Sequence, residues 1–85
     1  MKVGIKVLLR DGVKDSQGTA VMNALESMGY KGIKDILVGK YIIVTMDEDT
    51  KESRILVKKM CDDLLANLVI EKYEIEYPLD LYDLQ

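Results

Sequence analysis

The only cysteine of the chain, Cys61, stands beside two carboxylates, Asp62 and Asp63, in the stretch MCDDLLANLVIEKYEIE (60–76), with Asn67 and Tyr73 close behind. Residues of these types can serve nucleophilic or acid–base chemistry. A thiol becomes a nucleophile when a neighbouring base or cation makes it a thiolate. The chain has no histidine, the commonest such partner. Cys61 also shares helical spacing with Val57, Leu64 and Leu65, which puts it on the buried stripe of a helix as a small core residue. Asp62 and Asp63 are adjacent on that helix, point in different directions, and are expected to be solvated rather than to work as a catalytic pair.

Other chemical signals are weaker. GIKDILVGKY has a Gly-Lys pair, but a phosphate loop needs four residues between its glycines and a Ser or Thr after the lysine, where Tyr41 stands here. DEDTKE begins like a calcium loop at Asp47 and Asp49, yet Lys51 and Glu52 occupy positions that need a ligand and the turn glycine. It fits better as an acidic helix start facing the helix dipole. Lys2, Lys6 and Arg10 share one strand face, either as a seat for an acidic partner or a ligand phosphate, or as a cross-strand match for Glu74 and Glu76. Tyr30, Tyr41 and Tyr73 are expected in the core or at an interface, with the ring buried and the hydroxyl wet. No catalytic residue and no metal ligand set emerges.

The elements that hold these residues follow from periodicity. Val3, Ile5, Val7 and Leu9 alternate with Lys2, Gly4, Lys6 and Leu8 as a first strand. Asp15 or Ser16 caps a helix with a stripe of Ala20, Val21, Ala24, Leu25 and Met28, ended by Gly29 in a left-handed conformation. The β-branched run after it is broken at Gly39 into a short strand over 34–38 and a longer one over 41–46, paired as a hairpin or bent at a bulge. Asp49 or Thr50 opens a second helix, with Glu52 placed for a capping box, that stops near Asn67. A last strand then carries Tyr73, Ile75 and Tyr77 on one face, and Pro78 closes it.

This order predicts an α+β, ferredoxin-like βαββαβ sandwich with a four-stranded antiparallel sheet and two helices on one face. The chain is expected to be one domain over 1–85, with 78–85 a loosely held tail. The strand over 41–46 is apolar on both faces, so one face is expected to meet another subunit, with Ile42, Val44 and Met46 as oligomer-face candidates.

Composition narrows the class. The 85 residues are 48% hydrophobic and 32% charged, as in a soluble globular domain, without tryptophan or phenylalanine to fill a core. A net charge of −3 argues against a nucleic-acid partner, which needs a basic face, and against an anionic membrane surface. No apolar run approaches the roughly 18 residues of a membrane span, and MKVGIKVLLR lacks the unbroken apolar core of a signal peptide. A cytoplasmic protein is expected.

Three stretches carry a more specific signal: DSQGTAVMNALESMGY (15–30), VGKYIIV (38–44) and MCDDLLANLVIEKYEIE (60–76). In order and register they resemble PurS, the small subunit of phosphoribosylformylglycinamidine (FGAM) synthase. Its pattern runs approximately D-P-Q-G-x-A-V-x-x-A-L, V-G-K-Y and M-C-x-x-L-L-A-N-P-V-I-E-x-Y. Ser16 and Leu68 stand where the family often has proline.

The resemblance implies a non-catalytic subunit in de novo purine biosynthesis, a homodimer or a tetramer, that joins a PurL-type synthetase to a PurQ-type glutaminase. Ammonia from glutamine would thereby reach formylglycinamide ribonucleotide. The complex uses ATP and magnesium, and this chain is expected to bind no cofactor itself. Within the family stretches, Gln17, Gly18, Lys40, Tyr41 and Asn67 are the partner-contact candidates, Gly18 and Asn67 being alternatively plain helix-end residues. An ACT-like small-ligand regulatory module is the alternative with a similar element order.

Overall fold

A computed structural model describes residues 1–77, and the expected tail over 78–85 lies outside the described residues. The elements in chain order are β1 (Lys2–Leu9), α1 (Ser16–Ser27), β2 (Lys40–Thr45), α2 (Lys51–Met60), a π-helical turn (Cys61–Leu65) and β3 (Glu71–Glu76).

The alternation in β1 makes it the central strand. It pairs antiparallel with β2, placing Val3 opposite Val44 and Ile5 opposite Ile42, and antiparallel with β3, placing Ile5 opposite Ile75 and Val7 opposite Tyr73. Residues directly opposite share a face, so these side chains form one apolar layer. α2 covers it through Ser53, Val57 and Cys61, spaced four apart, and Val3, Ile5, Val7, Val57, Cys61 and Ala66 form the buried core. Burying a side chain such as Ile5 or Val57 contributes about 1.5–3 kcal/mol each.

Thr50 is the N-cap of α2. Its hydroxyl accepts from the Ser53 amide at 3.0 Å, and the Ser53 hydroxyl accepts from the Thr50 amide at 2.9 Å. The capping box therefore closes on Ser53, three residues after Thr50, and not on Glu52, which is three after Asp49. At the other end, the amide of Ala66 donates to the carbonyl of Cys61 at 3.1 Å, a five-residue step. The widened turn brings both Cys61 and Ala66 into the core.

The sheet has three strands in the order β2-β1-β3, which corrects the expected four-stranded sheet. The missing strand is the one expected over 34–38. Its amides bond to side chains instead of a ladder: Ile36 donates to its neighbour Asp35 at 2.9 Å, and Val38 donates to Asp15 Oδ2 at 2.8 Å. Gly32 turns the preceding chain with a φ of +85°. Neither a hairpin nor a bulge forms at Gly39. That residue is a close crossing, where a Cβ would lie 2.5 Å from Leu8 Cδ2 and 2.6 Å from the Val7 carbonyl oxygen.

The expectation of two helices on one sheet face also needs correction, because the helical residues of the core come from α2 and the π-helical turn that continues it. Gly18 is the only buried residue of α1, and none of the stripe Ala20, Val21, Ala24, Leu25 and Met28 joins the core cluster. The radius of gyration is 16.0 Å, against about 12 Å for a compact domain of this length.

Candidate functional site

The three family stretches come together at one end of the sheet. Asp15, the N-cap of α1, accepts from the amide of Gly18 through Oδ1 and from the amide of Val38 through Oδ2, both at 2.8 Å. One carboxylate thus ties the start of α1 to the chain entering β2. These two amide bonds, Gly18 first, hold the Asp15 carboxyl below the usual carboxylate range. Gly18 permits the approach, since a Cβ there would lie 2.0 Å from the Ile36 carbonyl oxygen.

From the third stretch comes Glu71. Its Oε1 accepts from the Asn67 amide at 2.7 Å, and its Oε2 pairs with Lys40 Nζ at 3.4 Å. The Asn67 bond, and after it Lys40, depress the Glu71 carboxyl. Asn67 shapes the turn into β3, with its Oδ1 accepting from the Val69 amide at 3.2 Å and its carbonyl from the amides of Ile70 and Glu71 at 3.0 and 2.6 Å. Arg10 braces the same turn, donating from Nε to the Leu68 carbonyl at 2.9 Å and from its amide to the Ile70 carbonyl at 2.8 Å.

Between these segments lies a cleft of about 290 Å³ lined by Val7, Leu9, Asp15, Gln17, Val38, Gly39, Lys40 and Glu71. Gln17 and Lys40 are exposed at its mouth. The structure therefore brings together four of the five partner-contact candidates, Gln17, Gly18, Lys40 and Asn67. Tyr41 lies elsewhere, on the uncovered sheet face, where its hydroxyl donates to Glu76 Oε2 at 3.0 Å. Ile42, Val44 and Met46 are half-buried against the core, whereas Ile43, their neighbour on the other face, is exposed.

Asp15, Glu71 and Arg10 organise this end; the sequence offered Arg10 as part of a basic row, where it instead binds main-chain carbonyls, and did not single out Asp15 or Glu71 as site residues. The available signal was the Asp three residues before Gly18, which is helix-cap spacing, and the Glu four residues after Asn67. Both family departures fit the geometry. Ser16 is the first helical residue of α1, a position proline also suits. Leu68 contributes a carbonyl, which a proline would also carry.

The remaining chemical candidates are structural. Lys6 pairs with Glu76 at 2.6 Å, the cross-strand match. Asp62 is fixed rather than simply solvated: the Tyr73 hydroxyl donates to its Oδ1 at 2.5 Å and Lys58 Nζ to its Oδ2 at 3.1 Å, while Lys58 also reaches the Tyr73 oxygen at 2.9 Å. This trio joins α2 to β3, and Asp63 is exposed. Cys61 is fully buried, and burial pushes its thiol up, away from the thiolate. Among the described residues no three metal-ligating side chains gather. Within the cleft the Lys40 ammonium pairs with Glu71, while the Asp15 carboxylate is held by the amides of Gly18 and Val38.

The model of the family PurS, described as phosphoribosylformylglycinamidine (FGAM) synthase, matches residues 2–78. The PurS subunit of Bacillus subtilis is 45% identical over 75 residues, covering 88% of this chain and 89% of that protein. The Synechocystis PurS subunit is 46% identical over 72 residues, 81% of this chain and 70% of its own length. In three dimensions the chain resembles B. subtilis PurS with a TM-score of 0.80 at 45% identity, covering 88% of this chain and 94% of that one. A chain of the PurLQS structure from Thermotoga maritima superposes with a TM-score of 0.78 at 33% identity, covering 88% of this chain and 93% of the other. Matched over nearly all its length by sequence and by fold, the chain belongs to the PurS family.

Proposed function

We propose that this chain is the PurS-type, non-catalytic subunit of a phosphoribosylformylglycinamidine synthase, acting in de novo purine biosynthesis in the cytoplasm. It bridges a PurQ-type glutaminase and a PurL-type synthetase as a homo-oligomer. The observation that carries this is the likeness, over 88% of the chain, to a chain of the PurLQS structure.

The geometry supports a positional role. Ammonia released at one site has to arrive at the other before it is protonated or lost, and a scaffold that holds the two enzymes in register raises its effective concentration. The cleft of Asp15, Gln17, Lys40 and Glu71 is a rigid, polar, partly charged surface built from the family stretches, the kind of surface that fixes a partner's orientation. ATP and magnesium belong to the partners in this scheme. None of the relatives named above is an ACT-like module. Among the described residues no helix is long and apolar enough to cross a membrane.

Reconstitution tests the proposal. Glutamine-dependent amidine formation by the synthetase and glutaminase is expected to rise on addition of this chain, with the three co-eluting. Full activity of the two partners without it would refute the scaffold role.

A further inference from the structure

The flank of α2 beside the end of β3 carries a groove of about 590 Å³. Its lining is mostly apolar, from Ile55, Tyr77 and the methylene stems of Lys51, Arg54 and Lys58. Ile55 is 58% exposed, although it belongs to the helix that covers the core. Tyr77 is fixed to α2: the Arg54 guanidinium lies 4.8 Å from its ring centroid, and its hydroxyl donates to the Arg54 carbonyl at 3.2 Å. Tyr77 is also the last described residue, so the stretch PLDLYDLQ (78–85) departs from a residue of the groove lining.

We propose that residues 78–85 of the same chain dock in this groove, with Leu79 and Leu81 on Ile55 and with Asp80 and Asp83 toward Lys51. Continuity is the first argument. Pro78 has no amide to donate, so it cannot extend the ladder of β3 with β1, and the chain has to leave the sheet where the groove opens. From Lys51 to Lys58 the helix advances about 10 Å, which about three or four residues of extended chain span. The segment is long enough. Its attachment to Tyr77 also gives it a local concentration at the groove that a separate partner lacks.

Charge is the second argument. Asp49 also lines the groove, but Arg54 holds both of its oxygens, at 2.8 and 2.9 Å, and Lys58 is held by Asp62 at 3.1 Å. Lys51 is the lining cation without an ion pair among the described residues. It stands in the first turn of α2, where the helix dipole also favours an acid. The segment 78–85 has two aspartates, no lysine or arginine, and leucines at 79, 81 and 84. That composition matches an apolar groove with one unpaired ammonium.

Thiol protection tests this on the isolated full-length chain. An Ile55→Cys reporter is alkylated with a maleimide, Cys61 being buried. With the parent residues over 78–85, alkylation is expected to be about tenfold slower than in the same chain carrying Leu79→Glu and Leu81→Glu, as for a cover that is open about a tenth of the time. The ratio is expected to hold on dilution, because segment and groove belong to one chain. Lys51→Glu is expected to abolish the protection, and Asp80→Lys with Asp83→Lys to restore it in the Lys51→Glu chain. Lys51 and Ile55 are both exposed, so folding is spared.

Equal alkylation rates with the parent and the Glu-bearing segments would overturn the proposal. So would protection that fades on dilution, which assigns the cover to another copy, or protection indifferent to Lys51→Glu. Every reading is made without synthetase or glutaminase, so failure of the reconstitution leaves this test intact.

Discussion

Asp15 and Val38, far apart in the chain, are joined by a 2.8 Å bond from the Val38 amide to Asp15 Oδ2, while the other oxygen of the same carboxylate caps α1 at Gly18. A single side chain therefore sets both the direction of α1 and the entry to β2. Asp15→Ala is expected to lower the melting temperature and to speed hydrogen exchange at the amides of Gly18 and Val38. Asp15→Asn, with one carbonyl acceptor left, should fall between parent and Ala. Unchanged exchange at Val38 would show that the clamp does not hold the segment.

Gly18→Ala tests the crossing that the clamp closes. The added methyl would lie 2.0 Å from the Ile36 carbonyl oxygen, so backbone has to move. Ala normally stabilises a helix relative to Gly, but here a loss of about 1–3 kcal/mol is expected, as for overpacking. Urea unfolding measures it, and a gain in stability would refute the contact.

Lys40→Glu and Gln17→Ala are expected to leave the fold nearly unchanged, because both side chains are exposed at the cleft mouth. Assembly should report them instead. Lys40→Glu places a second acid beside Glu71, and we expect complex formation in gel filtration to weaken by about tenfold, an effect of the order of a single charged interface contact. Wild-type assembly by both variants would remove the cleft from the partner interface.

The Lys58–Asp62–Tyr73 trio sets a phenol titration. The bond to Asp62 raises the Tyr73 phenol above its ordinary value, which is near 10. Ultraviolet titration of the parent minus Tyr73→Phe is expected to show a tyrosine ionising late, and Asp62→Ala to return it toward the ordinary range. Lys58 is raised by its own bonds to the Tyr73 hydroxyl oxygen and then to Asp62, so its contribution to stability is complete below its unfolded value and is lost as pH rises through its folded one.

Acid should loosen the fold in the opposite sense. Asp15, Asp49, Asp62, Glu71 and Glu76 all have depressed carboxyls, held by amides at Asp15 and Glu71 and by Arg54, Tyr73 and Lys6 at the others. Their stabilisation is present above the unfolded values near 4 and is lost as pH falls through the lower folded ones. Melting temperature is therefore expected to hold down to about pH 5 and to drop below pH 4. In Asp15→Ala the drop should be shallower.

Much of this protein follows from local pattern. The two-residue alternation of Val3, Ile5 and Val7 specifies a strand because an extended chain has only two faces. The fourfold spacing of Val57 and Cys61 specifies a buried helix stripe, and with it an inert thiol. The family stretches were legible as words even where they have no periodicity. Other features depended on contacts between distant residues. The run over 34–38 has strand composition, but Asp15 captures the Val38 amide and leaves no ladder to join. The stripe of α1 promised burial that its own copy does not supply, since a period marks which face is apolar and not what lies opposite it. Asp15, Lys40 and Glu71 line one cleft, with Asn67 behind Glu71, only because the sheet brings three separate stretches to the same end. Sequence order carries no distance between those stretches, and the antiparallel pairing of β1 with β2 and β3 supplies it.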